Sequence, residues 1–403
     1  MSPLWSVRAN PAATQGHSRP RLTGACEWLV ARLAPSHSPD EALPLLPAPR
    51  RILAVKVHGM GDSIMIRSAL EHVQRRHSNV DIGVLVGPAT REVMTRGSQF
   101  RVHQYDPRSL SVATVIAELR NIRRQRYDAI LNFEQSSLAG TAFLRATGIP
   151  ARIGFIPPID SPKSLFLTHY VRFCEQDSMW KSFLRLVRVA YPDLSDNLST
   201  VPLSYSDEAD ARVNRWWATE VRDKTNRVLG LHLGCGKGME YRRWPIERFV
   251  SLAKAIKARV TNLVVILTGT ANEEPLIHKF IDLYEGHVVD ASGAGSIETT
   301  ALILKRCDLF VSIDTGVMHL AAAMGTPTVG LFGPNTPKHW APIGPRAGYV
   351  YATTLSCSPC INNYTNSIPS ACANIEKSRC MLDIDPEAVL RAAKDVIIGS
   401  WLI

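Results

Sequence analysis

The apolar pattern of the chain first becomes regular at Arg51. Residues 1–50 are rich in Pro, Ser, Ala and Arg, and their one apolar patch, Ala25–Leu33, favours a short helix. From Arg51 the chain runs Ile-Leu-Ala-Val-Lys-Val and then reaches Gly59 and Gly61. An apolar, β-branched run that ends in glycine is typical of a buried parallel strand. We therefore expect a loosely held extension followed by a folded α/β region.

Strand and helix patterns then alternate. The sequence predicts a helix over Ser63–Arg76, strands at Asp81–Val86 and Tyr127–Phe133, and a basic amphipathic segment over Val112–Arg124 between those strands. Buried strands that alternate with helices imply a doubly wound parallel sheet.

A polar stretch over residues 191–226, with a helix at Asp207–Asp223, predicts a linker, and Arg227 begins a strand that restarts the alternation. We expect an α/β fold of two Rossmann-like domains facing a central cleft, where the carboxyl ends of both sheets bind ligand. The elements predicted for the second half are helix Pro245–Val260, strand Leu263–Gly269, helix Asn272–Tyr284, a short strand at Val288, helix Ile297–Arg306, strand Asp308–Asp314, helix Val317–Met324 and strand Thr326–Phe332. The predicted domains are an N-terminal extension (1–50), an N-terminal Rossmann-like domain (51–190), a linker (191–226), a C-terminal Rossmann-like domain (227–350), a cysteine segment (351–384) and a C-terminal helix (385–403).

Composition and charge limit the class of protein. Apolar residues make up 45% of the 403 positions and charged residues 20%, which is typical of a soluble globular protein. The chain has neither a run of about 18 apolar residues nor a secretory signal pattern, so we expect a cytoplasmic protein. The net charge of +10 favours an anionic partner such as nucleic acid, an anionic membrane, a phosphorylated glycolipid or a nucleotide.

The first candidate site is the turn between the first strand and helix. Gly59 and Gly61 let the backbone approach a ligand, and the following helix offers its N-terminal amides to an anion. Asp62 then lies at the cleft, although it could equally cap the helix. Because the turn lacks a third glycine, a dinucleotide site is poorly supported.

A second candidate site follows a strand of the second half. The segment Asp314–Leu320 ends a strand and opens a helix, so the amides of Thr315, Gly316 and Val317 suit a phosphate. His319 lies about one turn into this helix and could add a donor. The alternative is a core histidine satisfied by a backbone carbonyl.

The loop after Arg227 provides a third candidate. Gly234 and Gly236 permit close approach to a ligand, while Arg242 and Arg243 carry charge suited to a diphosphate leaving group. The alternative is a surface loop with two solvated arginines.

In this order, the segments resemble glycosyltransferase family 9, the ADP-heptose heptosyltransferases that build the lipopolysaccharide core and have the GT-B fold. The resemblance covers about Arg51 to Pro345. Its pieces are the strand ending in Gly61-Asp62, the segment His232–Pro245, Thr268-Gly269 through Glu273-Glu274, Asp314–Leu320 and Leu331–Pro334.

The resemblance implies roles for individual residues. Asp62 corresponds to the general base that deprotonates the acceptor, Arg242 meets the diphosphate and sugar, Glu273 meets the ribose, and Asp314 with its helix holds the phosphates. Further donor-binding residues are expected at Gly61, Gly234, Gly236, Arg243, Thr268, Gly295, Thr315, Gly316 and His319. An inverting transfer needs this division of base and cation across the cleft. No Asp-x-Asp pair is evident, so no catalytic divalent metal is expected.

The chain also departs from the family pattern. Ser68 stands where the family usually has proline, and Arg242 stands where lysine is common. Arginine keeps the charge but does not donate a proton, so its role should be electrostatic.

Four of the eight cysteines fall close together near the C-terminus, at Cys357, Cys360, Cys372 and Cys380. A C-x2-C pair with two further cysteines suits a tetrahedral zinc or iron site. The cluster resembles one found in some family members, including the iron-binding motif of autotransporter heptosyltransferases. Free thiols or two disulfides are the alternatives, and a metal here would be structural.

The main hypothesis is transfer of heptose from ADP-heptose to an acceptor hydroxyl or amine. The acceptor could be a lipopolysaccharide core sugar, a protein Ser or Thr, or a natural-product small molecule. A non-catalytic nucleotide-sugar scaffold and a nucleic-acid-binding protein are the rival hypotheses, and nucleic acid is the less favoured partner because the basic residues show no interleaved aromatic platform. Peripheral membrane contact and oligomer formation are compatible with the sequence.

Overall fold

The computed structural model describes residues 40–41, 47–105, 111–135, 138–156, 162–174, 176–223, 225–351, 355–362, 368–373, 378–397, 399 and 401–402. The helix predicted at Ala25–Leu33 lies outside these residues. Residues 39–403 form one compact unit that contains two parallel β-sheets.

The first sheet has seven parallel strands in the order β1-β7-β6-β5-β2-β3-β4. They are β1 Asp40–Glu41, β2 Arg51–Lys56, β3 Asp81–Val86, β4 Arg101–Gln104, β5 Ala129–Asn132, β6 Ala151–Ile156 and β7 His169–Arg172. Its helices are α1 Met60–Arg76, α2 Pro88–Thr95, α3 Val112–Arg124, α4 Leu138–Ala146 and α5 Met179–Ala190, with a 3₁₀ helix at Pro162–Phe166.

The second sheet has six parallel strands in the order β10-β9-β8-β11-β12-β13. They are β8 Arg227–His232, β9 Leu263–Thr268, β10 His287–Asp290, β11 Leu309–Ile313, β12 Thr328–Phe332 and β13 Ala347–Tyr351. The remaining helices are α6 Asp207–Glu220, α7 Ile246–Lys257, α8 Glu274–Leu283, α9 Ile297–Lys305, α10 Gly316–Ala323, α11 Pro337–Trp340, α12 Arg379–Leu382 and α13 Pro386–Val396.

The predicted α/β class with two doubly wound sheets is confirmed, and most element bounds differ by only a few residues. The main difference concerns helix α1, which begins at Met60 and not at Ser63. Its N-cap is Gly59 with φ of 89°, a left-handed value that glycine adopts without strain. Asp62 therefore lies within the first turn and is not the cap.

Helix α6 lies in the stretch predicted to be a linker. Its Ala209 and Val213 are buried in one apolar cluster with Val228 of β8 and Leu302 of α9. The helix thus packs on the second sheet, while the division of the chain into domains stays a prediction.

Two helices join the halves of the unit. Helix α1 packs against α10 at glycines, since a Cβ on Gly61 would lie 2.6 Å from Cδ2 of His319. A shared apolar cluster, which includes Ile64 and Val93 from the first half with Ala301 and Leu320 from the second, extends this contact. The carboxyl ends of both sheets are thereby held around one cleft. Among the described residues, no helix has the length and apolar character needed to span a bilayer.

Candidate active site

A cavity of about 690 Å³ opens at the carboxyl ends of strands from both sheets. The first half contributes Lys56, the turn of residues 58–62 and Glu134, and the second half contributes Arg242 and the segment 314–316 with His319. The further lining residues are Gln135, Cys235, Gly236, Met239, Asn335, Trp340, Ile361 and Ile368. Predicted base and predicted donor-binding residues therefore border the same space.

Asp62 lies at the floor of this cavity with only 9% of its surface exposed. Its Oδ2 is 2.6 Å from Nζ of Lys56, which is itself buried. Burial raises the pKa of Asp62 above its ordinary value, and the charge of Lys56 opposes that rise. The carboxyl group is thus desolvated, and its ionisation depends on its cationic neighbour.

Glu134 supplies a second negative charge behind this pair. Its Oε1 accepts hydrogen bonds from the backbone N–H groups of Val57 at 2.6 Å and His58 at 3.0 Å, and its Oε2 lies 4.0 Å from Nζ of Lys56. Burial opposes ionisation here, but Lys56, His58 and the two amides lower the pKa of Glu134 to about 2. Glu134 is therefore ionised at neutral pH.

Across the cavity, Asp314 organises the charged groups of the second half. Its Oδ2 lies 2.5 Å from Nη2 of Arg242 and accepts a hydrogen bond from Nδ2 of Asn335 at 2.8 Å. The same guanidinium also donates to the backbone carbonyl of Asp314. Helix α10 begins two residues later at Gly316, so a fixed cation and free helix amides face the cavity together.

His319 lies near the charged groups of both halves, since Asp62 of the first half and Asp314 of the second half both act on it. The ring is 5% exposed, stands edge-on to Trp340 at 6.5 Å and contacts the backbone at Gly61. Burial lowers the pKa of His319, although Asp314 and Asp62 act in the opposite direction. A neutral imidazole can donate one hydrogen bond to a phosphate oxygen.

A second cavity of about 470 Å³ lies beside the first, and Met60 borders both. Its wall includes His232 and Thr268 at the ends of two strands and the loop of residues 292–296 with Gly295. Nδ1 of His232 lies 3.1 Å from the backbone carbonyl oxygen of Thr268 and 3.2 Å from its hydroxyl, and burial lowers the pKa of this histidine.

Three of the predicted donor-binding residues lie outside the linings of these two cavities. Glu273 is buried between His232 and Gly234, where a Cβ on the glycine would meet Oε1 of the glutamate at 1.9 Å. Nη2 of Arg243 lies 3.7 Å from Oε1 of Glu240, and Arg243 also acts on Cys235, which lines the first cavity. In this conformation Glu273 shapes the loop after β8, and the predicted donor contacts of Gly234, Arg243 and Glu273 stay predictions.

Several cavity residues were not among the predicted site residues, and Lys56, Glu134 and Asn335 are the ones that pair with the charged groups of the site. A signal existed for Lys56, since a lysine within an otherwise apolar buried strand requires a charged partner. Glu134 follows β5, which pairs with β2, and Asn335 follows β12, which pairs with β11. Which strands lie next to one another cannot be derived from local pattern alone.

The predicted metal cluster is not assembled in the structure. Among the described residues, no three His, Cys, Asp or Glu side chains come together in a way that could hold a metal ion. Cys357 and Cys360 are exposed and Cys380 is buried, and the backbone N–H of Ser378 donates to Sγ of Cys372 at 3.2 Å.

The four thiols nevertheless act on one another. Burial and then the thiols of Cys360, Cys372 and Cys357 raise the pKa of Cys380 to about 11. The segment also adjoins the cavity, since the backbone amides of Cys360 and Ile361 both donate to the carbonyl of Pro334. The donor chemistry thus suits a soft metal, whereas the observed positions do not form its coordination shell.

Two parallel sheets with a charged cavity between their carboxyl ends define the GT-B class of fold, and the comparisons specify the family. The model of glycosyltransferase family 9 (heptosyltransferase) matches residues 115–369. The chain belongs to this family and is a glycosyltransferase.

Curated relatives agree with this assignment. Lipopolysaccharide heptosyltransferase 2 of Escherichia coli K12 is 23% identical over 322 residues, which cover 75% of this chain and 88% of that protein. Lipooligosaccharide heptosyltransferase 2 of Campylobacter jejuni is 26% identical over 178 residues, and this match spans 44% of the chain and 53%, about half, of that protein.

Solved structures share the fold. E. coli ADP-heptose lipopolysaccharide heptosyltransferase II superposes with a TM-score of 0.66 at 19% identity, over 86% of this chain and 98% of that one. The iron-containing dodecameric glycosyltransferase TibC of enterotoxigenic E. coli superposes with a TM-score of 0.52 at 12% identity, over 88% and 79% of the two chains. TibC has also been solved in complex with ADP-D-β-D-heptose.

Proposed function

We propose that this glycosyltransferase transfers heptose from ADP-heptose to a hydroxyl of the lipopolysaccharide core, with inversion at the anomeric carbon. One observation carries the proposal: Asp62 from the first half and Arg242 with the start of α10 from the second half border one 690 Å³ cavity. The names of the relatives supply the sugar and acceptor class.

In the proposed reaction, the acceptor O–H passes its proton to the Asp62 carboxylate as its oxygen forms a bond to the anomeric carbon. The bond between that carbon and the phosphate oxygen breaks, and ADP leaves with the electron pair. A general base on the face opposite the leaving group gives inversion. The chain's own residues thus supply the base and the anion site.

Positive charge on the donor side stabilises the departing diphosphate. Arg242 is fixed by its double contact with Asp314, so its guanidinium is already oriented before the donor binds. The first amides of α10 and the neutral ring of His319 add donors on the same side. None of these groups needs to protonate the leaving group, because ADP is a stable anion and arginine stays charged.

The test uses purified protein, ADP-heptose and truncated lipopolysaccharide that lacks core heptose, with product detected by mass spectrometry. Asp62→Asn should reduce turnover at least 100-fold while ADP affinity measured by calorimetry stays within about twofold. Arg242→Met should weaken ADP binding about tenfold or more, because a charge-assisted contact is lost. Arg248→Met, an exposed arginine 4.0 Å from Asp385, is the matched control.

Two results would oppose this proposal. Full turnover by Asp62→Asn would show that Asp62 is not the base. Product formed only with a protein Ser or Thr, or only with a small-molecule acceptor, would show that the lipopolysaccharide core is not the acceptor. Absence of turnover with every acceptor, together with retained ADP binding, would favour a non-catalytic nucleotide-sugar protein.

We also propose that the four cysteines hold a structural zinc or iron ion. The mutual influence of the thiols on their pKa values and the iron content of TibC support the proposal. The observed side chains would have to move together to form the site. Metal analysis of freshly purified protein should give about one zinc or iron per chain, lost in Cys360→Ser; a metal-free, fully folded protein would contradict it.

Location and assembly complete the proposal. A lipid-linked acceptor implies peripheral contact with the cytoplasmic face of the inner membrane, to which the net charge of +10 is suited. The dodecameric state of TibC supports oligomer formation by this chain. Liposome flotation and light scattering of the purified protein test the two points separately.

A further inference from the structure

Lys56 is an unusual residue for its position. It ends strand β2 with 4% of its surface exposed, at the close of an otherwise apolar run. A buried ammonium is costly unless charged groups compensate it. Here Nζ is 2.6 Å from Oδ2 of Asp62 and 4.0 Å from Oε2 of Glu134, so one cation bridges two carboxylates.

Among the residues that the structure describes, the charged groups that face this arrangement come from several elements. Lys56 comes from β2, Glu134 from the segment after β5, and His319 from α10, with Asp314 and Arg242 beyond His319. Behind Glu134, Nζ of Lys163 donates to the backbone carbonyls of Glu134 and Gln135. His58, whose side chain is largely exposed, lies 3.6 Å from Glu134.

We propose that Lys56 is a positioning residue that keeps the Asp62 carboxylate ionised and oriented for the acceptor hydroxyl, while Glu134 holds Lys56 in place. The inference rests on the proposed role of Asp62 as base. Lys56 itself stays protonated throughout and acts only through the Asp62 carboxylate that it contacts.

The charge balance explains why a bridging cation suits a base. Before transfer, the side chains of Asp62, Lys56 and Glu134 have a net charge of −1. After Asp62 accepts the proton, their net charge is zero, and Lys56 is still paired to Glu134. Without Lys56, two carboxylates would face one buried space with a total of −2. Like charges in such a space raise one carboxyl pKa strongly, so the base would be protonated at neutral pH.

The test compares Lys56→Met, Lys56→Arg and Glu134→Gln. The Asp62 carboxyl is followed by ¹³C NMR of aspartate-labelled protein, assigned by its loss in Asp62→Asn. Lys56→Met should raise the pKa of Asp62 by roughly one to three units, and Glu134→Gln should lower it, because a like charge is removed. Lys56→Arg should restore most of the wild-type value.

We expect turnover at pH 7 to be lower in the variants in which the pKa of Asp62 is higher. The acid limb of kcat/KM moves to higher pH in Lys56→Met, so activity lost at pH 7 returns as the pH rises, while the KM for ADP-heptose changes little. Arg152→Met is the control: it removes a buried cation that donates to the backbone carbonyls of Phe166 and Ile149, and it should leave the acid limb in place.

Each outcome is decisive. An unshifted Asp62 pKa in Lys56→Met overturns the inference, as does a uniform loss of kcat at every pH. If Lys56→Met does not fold, the opposite shift predicted for Glu134→Gln still decides. Full turnover by Asp62→Asn would instead defeat the proposed base itself, and the NMR titration would still report on the pairing.

Discussion

Gly61 is a point of close approach between the two halves of the unit. Its backbone lies against the ring of His319, and an added Cβ would come within 2.6 Å of that ring. A buried aromatic ring cannot move aside as a flexible chain does, so this position requires glycine for space.

Gly61→Ala should therefore destabilise the protein by about 1–3 kcal/mol, the usual cost of overpacking. Gly154→Ala is the comparison, because its Cβ would meet the terminal methyl groups of Leu167 at 2.9 and 3.2 Å. We expect Gly61→Ala to be the more damaging in urea unfolding. An equal loss in both variants would mean that the His319 ring is free to shift.

The pKa of Glu134 makes stability depend on pH in a defined direction. The folded-state value is about 2, below the ordinary 4.5, so ionised Glu134 stabilises the native state above pH 4.5. This contribution, about 3 kcal/mol by linkage, is lost as the pH falls from about 4.5 to about 2. Glu134→Gln should thus be less stable than wild type at pH 7 and lose less stability on acidification. Parallel acid-unfolding curves would contradict the assignment.

The site residues that could be identified from the sequence lie in local motifs, whereas the others depend on partners that are distant in the chain. Asp62, Arg242 and Asp314 follow strands within recognisable local motifs, so their spacing pointed to them. Lys56 and Asn335 gain meaning only from partners brought near by the fold, as the hydrogen bond from Asn335 to Asp314 shows.

At the scale of elements, helix α9 ties its neighbours together through one buried side chain. Glu298 accepts a hydrogen bond from the backbone N–H of Ser206, the N-cap of α6, at 2.6 Å and lies 3.4 Å from Arg96 after α2. A buried carboxylate with two partners connects both halves of the unit.

Glu298→Ala should cost about 1–3 kcal/mol, because the Ser206 amide loses its acceptor. Glu298→Gln should cost less, since the amide oxygen can still accept that bond. Glu247→Ala, which breaks an exposed pair with Lys279, should change stability by less than about 1 kcal/mol. Urea denaturation of the three variants gives the comparison, and a silent Glu298→Ala would show that water replaces the lost contact.

Long apolar strands were predictable because their pattern is strong over six or more residues, as in β2 and β9. Strands β4 and β7 were not predicted, since each has four residues and contains polar or charged positions such as Arg101 and His169. Strand β6 was also missed although it has six residues, because Arg152 and Gly154 interrupt its apolar pattern. Short strands at the edge of a sheet gain their structure from the neighbour they pair with, and local pattern carries little of that information.

For the whole molecule, the shared apolar cluster predicts cooperative unfolding. Ile64 and Val93 are buried together with Ala301 and Leu320, so one half cannot unfold without exposing apolar surface of the other. Scanning calorimetry of the purified protein should show one main transition. ADP at 100 times its dissociation constant should add about 2.7 kcal/mol to stability. Two well-separated transitions, with ADP moving only one of them, would contradict this coupling.

The position of the cysteine segment has a pharmacological consequence. Ile361 lines the cavity and follows the exposed Cys360 directly in the chain. In protein stripped of the proposed metal by chelation, a covalent reagent captured by this thiol would be anchored one residue from the cavity wall. A reagent extended from there toward Arg242 would give an inhibitor of the metal-depleted protein with a permanent attachment point.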